Sequence, residues 1–175
     1  MSSRRNFVKS TALLSSLAVL IQSFKGLEEF SDTGDKIKAK RLKSGDTVVI
    51  TSPAGAVWDE TQIEKFSNIL KGFGFKVLLG QSLSLKTGYF AGTDEERAEE
   101  LNTLFANTDI QGIFCMKGGW GSARILELLD YKTITNSPKV LIGFSDITTL
   151  LNAIYVKTGL ITFHGPVGNS ETKTQ

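Results

Sequence analysis

The stretch KVLIGFSDIT, residues 139–148, joins a run of strand-type residues to the start of a helix. Its apolar first half predicts a buried β-strand, and the segment that follows predicts a helix. Ser145 lies on the turn between them. Serine is a common helix N-cap, so capping is one interpretation, and a nucleophile held on a tight turn is the other. The usual nucleophile turn has a glycine two residues after the serine, where this chain has Ile147, so the motif alone leaves both open.

Strand and helix patterns alternate through most of the remaining chain. Strand-type runs lie at residues 46–55, 75–83, 110–121, 139–144 and 160–167, and the third run breaks into a glycine-rich turn. Helical patterns separate these runs, and the helix after Thr93 begins with three acids, which favour the positive end of a helix dipole. Because the strands are apolar enough for burial on both faces, the sequence predicts an α/β fold with a doubly wound, mostly parallel sheet of Rossmann or flavodoxin-like type.

The first 26 residues predict an export signal. A basic start is followed by an apolar run over residues 12–21, which is shorter than the ~20 residues that a membrane-spanning helix needs. Within it, SRRNFVK (3–9) resembles a twin-arginine signal, and a general export signal with two chance arginines is the alternative. The prediction is export to the bacterial periplasm, with the signal as the only membrane contact. Residues 27–44 then predict a mobile, solvated linker.

Composition narrows the classes of partner. The formal net charge is +2, but residues 1–26 contain four basic residues and no acid. Without them, 16 basic residues face 18 acidic ones, a charge of −2. No basic patch with interleaved aromatic residues occurs, which argues against a nucleic-acid partner. Cys115 is the only cysteine, which excludes an internal disulfide and a cysteine-based metal cluster, and its apolar surroundings predict a core residue.

Four loops at the carboxyl edge of the predicted sheet are candidates for chemistry. They are SPAG (52–55), KGGWGS (117–122), GFSD (143–146) and FHGP (163–166). Functional groups gather at this edge of open parallel sheets. Glycines after a strand can turn backbone N–H groups toward a site. With the N–H of Asp146, which follows the serine, such donors would form an oxyanion hole. A plain tight turn and a phosphate-binding turn are the alternatives, although neither common phosphate-binding fingerprint is present.

Five motifs in this order resemble the amino-terminal half of the LD-carboxypeptidase family: TSPAG, FAGTDEERAEELN, KGGWGSARIL, GFSDIT and FHGP. The resemblance runs from about residue 46 to residue 167. It implies a serine peptidase with a Ser-Glu-His triad that releases a terminal D-amino acid from an L-residue in murein tetrapeptides, or cleaves related amide bonds. Relatives include enzymes that cleave the antibiotic microcin C. No metal or cofactor is implied, and homodimers occur in the family.

The resemblance also implies roles for individual residues. Ser145 matches the nucleophile, and the backbone N–H groups of Asp146 and Gly119 match the oxyanion hole. Lys117, where many relatives have arginine, and Trp120, where tyrosine is common, are expected to contact substrate. His164 belongs to the separate HGP motif, so the expectation is that it shapes the substrate pocket or satisfies a buried hydrogen bond, and not that it serves as the triad base.

The family's catalytic Glu and His lie in a carboxyl-terminal domain, which is the basis for expecting a partial protein here. The domain is predicted over residues 45–168, with residues 169–175 as the start of an interdomain link, and the chain alone is expected to have little activity. Two alternatives stay open. One is a non-catalytic module that binds murein peptides or carboxylates, and the other is a complete small hydrolase that pairs Ser145 with His164.

Overall fold

The computed structural model describes residues 35–166 and 168. Five parallel strands form one sheet in the order β2-β1-β3-β4-β5. The strands are β1 (Thr47–Thr51), β2 (Lys76–Leu79), β3 (Gly112–Cys115), β4 (Val140–Gly143) and β5 (Phe163–His164). This order is the flavodoxin-like variant of the doubly wound sheet, so the predicted fold class is confirmed. The second and fifth strands are shorter than the sequence pattern predicts. The second ends at Leu79 and a 3₁₀ turn follows at Gln81–Leu83. The fifth consists of Phe163–His164.

Four α-helices connect the strands. They are α1 (Glu60–Gly72), α2 (Asp94–Ala106), α3 (Tyr131–Asn136) and α4 (Ile147–Thr158). The segment SARILEL, predicted as a helix, is a 3₁₀ helix at Ser122–Leu128. The short α3 that follows is absent from the sequence prediction, because YKTITN carries no clear apolar period. Its start is fixed by Asp130, whose side chain accepts a hydrogen bond from the Thr133 N–H.

The helices cover both faces of the sheet, which explains the nearly continuous apolar strands. Successive residues of a strand face opposite ways, so Val48 and Ile50 point to one face while Val49 points to the other. Helix α1 packs on the first face through Leu70 and Phe66. Helices α2, α3 and α4 pack on the second face, where the buried residues include Leu101, Phe105, Ile134, Leu150 and Ile154. Cys115 is buried in this second layer, as the sequence predicts.

The described part of the predicted linker packs against the domain and is not solvated throughout. Ile37 pairs with Leu160 in a parallel bridge, where its N–H donates to the Gly159 carbonyl at 2.9 Å. Its side chain and that of Ala39 are partly buried on the α2–α4 side, and Leu42 packs on the α1 side. The apolar residues at 37, 39 and 42 are separated by charged ones, which made the segment look like a solvated linker. The predicted export signal, residues 27–34 of the linker and residues 169–175 lie outside the described residues.

Candidate active site

Ser145 lies on the turn between β4 and α4 in a strained backbone conformation. Its φ is +60°, and within residues 35–166 and 168 it is the only non-glycine residue with positive φ. A non-glycine residue in the left-handed region costs free energy and is often found at functional sites. Its side chain is exposed. The N-cap of α4 is Asp146, whose side chain makes no capping hydrogen bond, so helix capping does not account for Ser145.

Gly118 is the glycine that packs against this turn. A Cβ atom placed on Gly118 would lie 2.9 Å from both the Phe144 carbonyl oxygen and the Ser145 Cβ, and 3.3 Å from the Asp146 nitrogen. Only glycine permits this approach. Gly119, to which the resemblance assigns an oxyanion-hole N–H, has a φ of +109° and faces the Tyr89 hydroxyl. The structure therefore brings Gly118 to the serine turn and holds Gly119 one residue away, toward the rim.

The loops after β1 and β3 meet beside Gly118. The Gly55 N–H donates to the Gly118 carbonyl oxygen at 3.2 Å. The chain reverses its direction of winding between β1 and β3, and open α/β sheets bind ligands in the crevice that this reversal leaves at the carboxyl ends of the strands. The segments SPAG and KGGWGS thus occupy the position where the fold itself favours a binding site, and Ser145 lies on the turn that follows the next strand, β4.

Asp146 connects the turn that carries Ser145 (residues 143–146, the serine turn) to the segment KGGWGS (residues 117–122, the glycine turn). It does so with both its side chain and its backbone. Its carboxylate accepts a hydrogen bond from the Ser122 N–H at 2.9 Å, and its carbonyl oxygen accepts one from the Ser122 hydroxyl at 2.7 Å. The carboxylate is therefore turned to the start of the 3₁₀ helix. The backbone N–H of Asp146 lies on the side of Gly118, where the predicted oxyanion hole would be.

Lys117 and Trp120 form the rim of the crevice around Tyr89. The Lys117 ammonium donates to the Ala56 carbonyl oxygen at 2.9 Å and lies 5.8 Å from the Tyr89 ring centroid. Trp120 stacks on the Tyr89 ring, with the centroids 5.4 Å apart, and meets the edge of Phe90 at 4.6 Å. Although these contacts fix its orientation, 53% of Trp120 stays exposed. That Lys117 and Trp120 contact substrate stays a prediction.

His164 lies on the other side of the serine turn, at the end of β5. It is exposed, and its ring packs on Phe144 with the centroids 4.8 Å apart. Within the described part of the chain no hydrogen bond joins it to Ser145, and the Ser145 hydroxyl bonds to no described side chain. The expectation that His164 satisfies a buried hydrogen bond is wrong, because the ring lies on the surface of a sheet edge.

Two residues that sequence reasoning missed, Arg97 and Glu100, form hydrogen bonds to the segments at the carboxyl ends of the strands. Arg97 is fully buried and donates to the carbonyl oxygens of Pro53 at 2.7 Å and Gly121 at 3.2 Å. Glu100, in the same helix, accepts hydrogen bonds from the Thr51 hydroxyl at 2.6 Å and the Ser82 N–H at 3.1 Å. Both lie in DEERAEE, whose density of charge suggests a surface helix. Their spacing of three residues on one helix face was the available signal.

Residues 35–166 and 168 contain no group of three or more His, Cys, Asp or Glu side chains that could hold a metal ion. No helix in the same range combines the length and the apolar composition needed to cross a bilayer.

Comparison with known proteins assigns this arrangement to a family. Residues 48–165, more than half of the chain, match the LD-carboxypeptidase N-terminal domain. The chain belongs to the LD-carboxypeptidase family. This agrees with the resemblance of the five motifs, and the matched range contains the serine turn, the glycine turn and the rim.

Named relatives and solved structures agree with this membership. A probable murein peptide carboxypeptidase of Bacillus subtilis is 39% identical over 130 residues, which cover 74% of this chain and 40% of the relative. A murein tetrapeptide carboxypeptidase of Pseudomonas aeruginosa is 37% identical over 121 residues, or 69% of this chain and 39% of that one. The solved structure of the microcin C7 self-immunity protein MccF in complex with aspartyl sulfamoyl adenosine superposes with a TM-score of 0.72 at 40% identity, covering 75% of this chain and 40% of that one.

The chain spans about 40% of the length of the curated relatives it matches. What the structure shares with the LD-carboxypeptidase family is thus the amino-terminal α/β domain, with its five-stranded parallel sheet and the loops at the carboxyl edge.

Proposed function

We propose that this chain is the nucleophile-bearing part of a serine-type LD-carboxypeptidase that cleaves an L-to-D amide bond in murein peptides. The observation that carries the proposal is the strained φ of Ser145, on an exposed strand-to-helix turn against which Gly118 packs. Strain of this kind is the mark of a nucleophile elbow, which lifts a serine hydroxyl above the sheet. Membership in the LD-carboxypeptidase family supplies the reaction class.

In the proposed reaction the Ser145 oxygen attacks the carbonyl carbon of the scissile amide while a base removes its proton. The backbone N–H of Asp146, together with an N–H of the glycine turn (Gly119 by the motif, with Gly118 next to the serine in the structure), stabilises the oxyanion. The proton passes to the leaving amine, which departs as the D-amino acid, and water then hydrolyses the acyl-enzyme. Lys117, Trp120 and His164 contact the peptide around this centre.

The base and its carboxylate partner are proposed to lie outside the described residues. His164 is the single histidine of the sequence, and no hydrogen bond connects it to Ser145 in the described part. The family resemblance places the triad Glu and His in a second domain. The chain alone is therefore expected to have little peptidase activity. Export by the twin-arginine-type signal would bring the protein to the periplasm, where murein is present.

A chimaera tests the proposal in a form that can be active. Residues 35–168 would replace the matching part of the Bacillus subtilis relative, and release of D-alanine from a murein tetrapeptide would be measured. We expect turnover that falls by roughly 10⁴-fold or more in the Ser145→Ala chimaera, since a nucleophile acts as a unit with its base. The matched control is Ser84→Ala, since Ser84 is exposed and its hydroxyl donates to the Gln81 carbonyl oxygen, its one hydrogen-bond partner in the described part of the chain. Equal turnover with and without the Ser145 hydroxyl would contradict the assignment.

Treating the 175-residue chain with a fluorophosphonate serine probe separates the two alternatives. Labelling that requires both Ser145 and His164 would support the complete small hydrolase. In the non-catalytic module, the glycine turn would instead hold a peptide carboxylate. Tetrapeptide binding that survives Ser145→Ala, combined with an inactive chimaera, would support that module.

A further inference from the structure

Arg97 is a buried cation that links the start of its own helix to two loops around the candidate site. Its side chain has no exposed surface. One terminal nitrogen, Nη1, donates to both Pro53 and Gly121 carbonyl oxygens, the other pairs with Asp94, and Nε donates to the Thr93 carbonyl oxygen at 3.2 Å. A buried charge is tolerated only when it is paired and hydrogen-bonded in this way. Arg97 takes no part in the reaction proposed above.

The partners of Arg97 belong to three different segments at the carboxyl edge. Pro53 lies in the loop after β1, Gly121 ends the glycine turn after β3, and Thr93 and Asp94 begin α2. The guanidinium also lies 5.0 Å from the ring centroid of Phe90, against which Trp120 packs. The Arg97 guanidinium thus forms hydrogen bonds to both loops that line the crevice and packs near the ring of Phe90 at the rim.

From Gly121 the connection to the serine is short. Gly121 precedes Ser122, which makes both hydrogen bonds to Asp146, and Asp146 follows Ser145. The loop after β1 leads to the same place, since the Gly55 N–H donates to the Gly118 carbonyl oxygen. Burial lowers the pKa of Arg97, while the charge of Asp94 and, more weakly, that of Asp146 oppose this change.

We propose that Arg97 is the positioning residue that sets the place of the glycine turn relative to Ser145. The inference rests on the proposed function in that it concerns the same site, but its geometry is independent of catalysis. Arginine suits the task because its rigid fork presents donors in several fixed directions at once. Lysine, with one nitrogen on a flexible stem, would keep the charge and lose part of the spacing between Pro53 and Gly121.

The test compares Arg97→Met with Lys139→Met, a matched control in the same protein. Lys139 is also buried, and its ammonium also donates to two backbone carbonyl oxygens, those of Asn107 and Ile110, at 2.7 and 2.8 Å. It precedes β4 and thus lies at the opposite, amino-terminal edge of the sheet. Both changes remove a buried cation, but only one of the two cations touches the loops of the site.

Two readouts follow the glycine turn without requiring turnover. Amide hydrogen exchange is measured at Ser122, whose N–H donates to the Asp146 carboxylate at the end of the turn. Acrylamide quenching reports on Trp120 in a Trp58→Phe background, since the chain has only two tryptophans. We expect Arg97→Met to raise the amide exchange rate in the glycine turn by about tenfold or more, after correction for the change in global exchange. We expect the acrylamide quenching constant of Trp120 to increase about twofold. Lys139→Met should leave both within about twofold of the parent at matched global stability.

Arg97→Lys keeps the proposal testable if Arg97→Met does not fold. We expect it to fold and to give an intermediate increase in turn exchange. In the active chimaera, the same variant should lower kcat more than it raises KM. If exchange in the turn and Trp120 quenching change no more in the Arg97 variants than in Lys139→Met, Arg97 is only a structural ion and the proposal is overturned. Because both readouts are independent of activity, they can succeed or fail separately from the proposed function.

Discussion

At the scale of single residues, Ser145 and Gly118 show how the site depends on two backbone features. Ser145 accepts a conformation that suits glycine better, and Gly118 approaches it more closely than any side chain would allow. Neither feature is a side-chain interaction, so neither would be found by inspecting hydrogen bonds alone. The contact leaves the Asp146 backbone nitrogen beside Gly118, on the side where the proposed oxyanion hole would lie.

Replacing Gly118 by alanine tests this contact. The new Cβ would lie 2.9 Å from the Phe144 carbonyl oxygen and from Ser145 Cβ, and because these atoms belong to a tight turn the backbone must move. We expect a loss of about 1–3 kcal/mol in the free energy of unfolding, measured in urea. Gly72→Ala is the control, since Gly72 ends α1 with open space around it. That variant should be neutral or slightly stabilising, and an equal loss in both would contradict the close approach.

At the scale of elements, α2 contacts the loops after β1 and β3 through hydrogen bonds from Arg97. Its start is fixed by a capping box, in which the Thr93 hydroxyl accepts from the Glu96 N–H at 3.2 Å and the Glu96 carboxylate accepts from the Thr93 N–H at 2.8 Å. Arg97 and Glu100 follow one and two turns into the helix. The position of the helix start therefore decides where the guanidinium meets the Pro53 and Gly121 carbonyls.

Thr93→Ala tests the cap. Loss of the hydroxyl leaves the Glu96 N–H without its acceptor, and we expect the free energy of unfolding to fall by about 1 kcal/mol. Thr103→Ala is the same substitution at an exposed position in the same helix, and alanine's better helix propensity should make it neutral or mildly stabilising. Thermal or urea unfolding of the two variants measures the difference. A cost at Thr103 equal to that at Thr93 would argue against the capping box.

At the scale of the whole molecule, the two layers of helices bury the sheet deeply enough to suppress ionisation at its centre. Burial raises the pKa of the Cys115 thiol to about 12, and the nearby charge of Glu100 adds to this. An unfolded cysteine titrates near ~8.5. Between these values the folded protein holds a proton that the unfolded chain releases, so stability is complete below the unfolded pKa and is lost as the pH rises.

The expected result is a steeper alkaline loss of stability in the wild type than in Cys115→Ala. The difference should grow by up to about 1.4 kcal/mol for each pH unit above ~8.5. Urea unfolding at several values between pH 8 and pH 10.5 measures it, and ionisations of tyrosine and lysine cancel because both proteins share them. Cys115 is the only cysteine, so no second thiol contributes. Parallel stability profiles would show that the thiol ionises freely in the folded state.

Local sequence determined the elements and the place of the serine. Apolar runs with the right periods fixed the five strands and the three longer helices, and the order of motifs predicted the family that the comparison then gave. Those features depend on neighbouring residues, whose propensities and periods are present in any short window. The short α3 escaped because a six-residue helix depends more on its cap and packing than on a period.

Only the tertiary structure decided which groups meet at the site. The sequence offers two adjacent glycines, and the packing of β3 against β4 is what brings Gly118 to Ser145. The charge-rich DEERAEE predicts a solvated helix, yet the fold buries Arg97 because carbonyl oxygens from two distant loops converge on it. Such contacts join residues far apart in the chain, and their free energy depends on burial and direction, which no local pattern records.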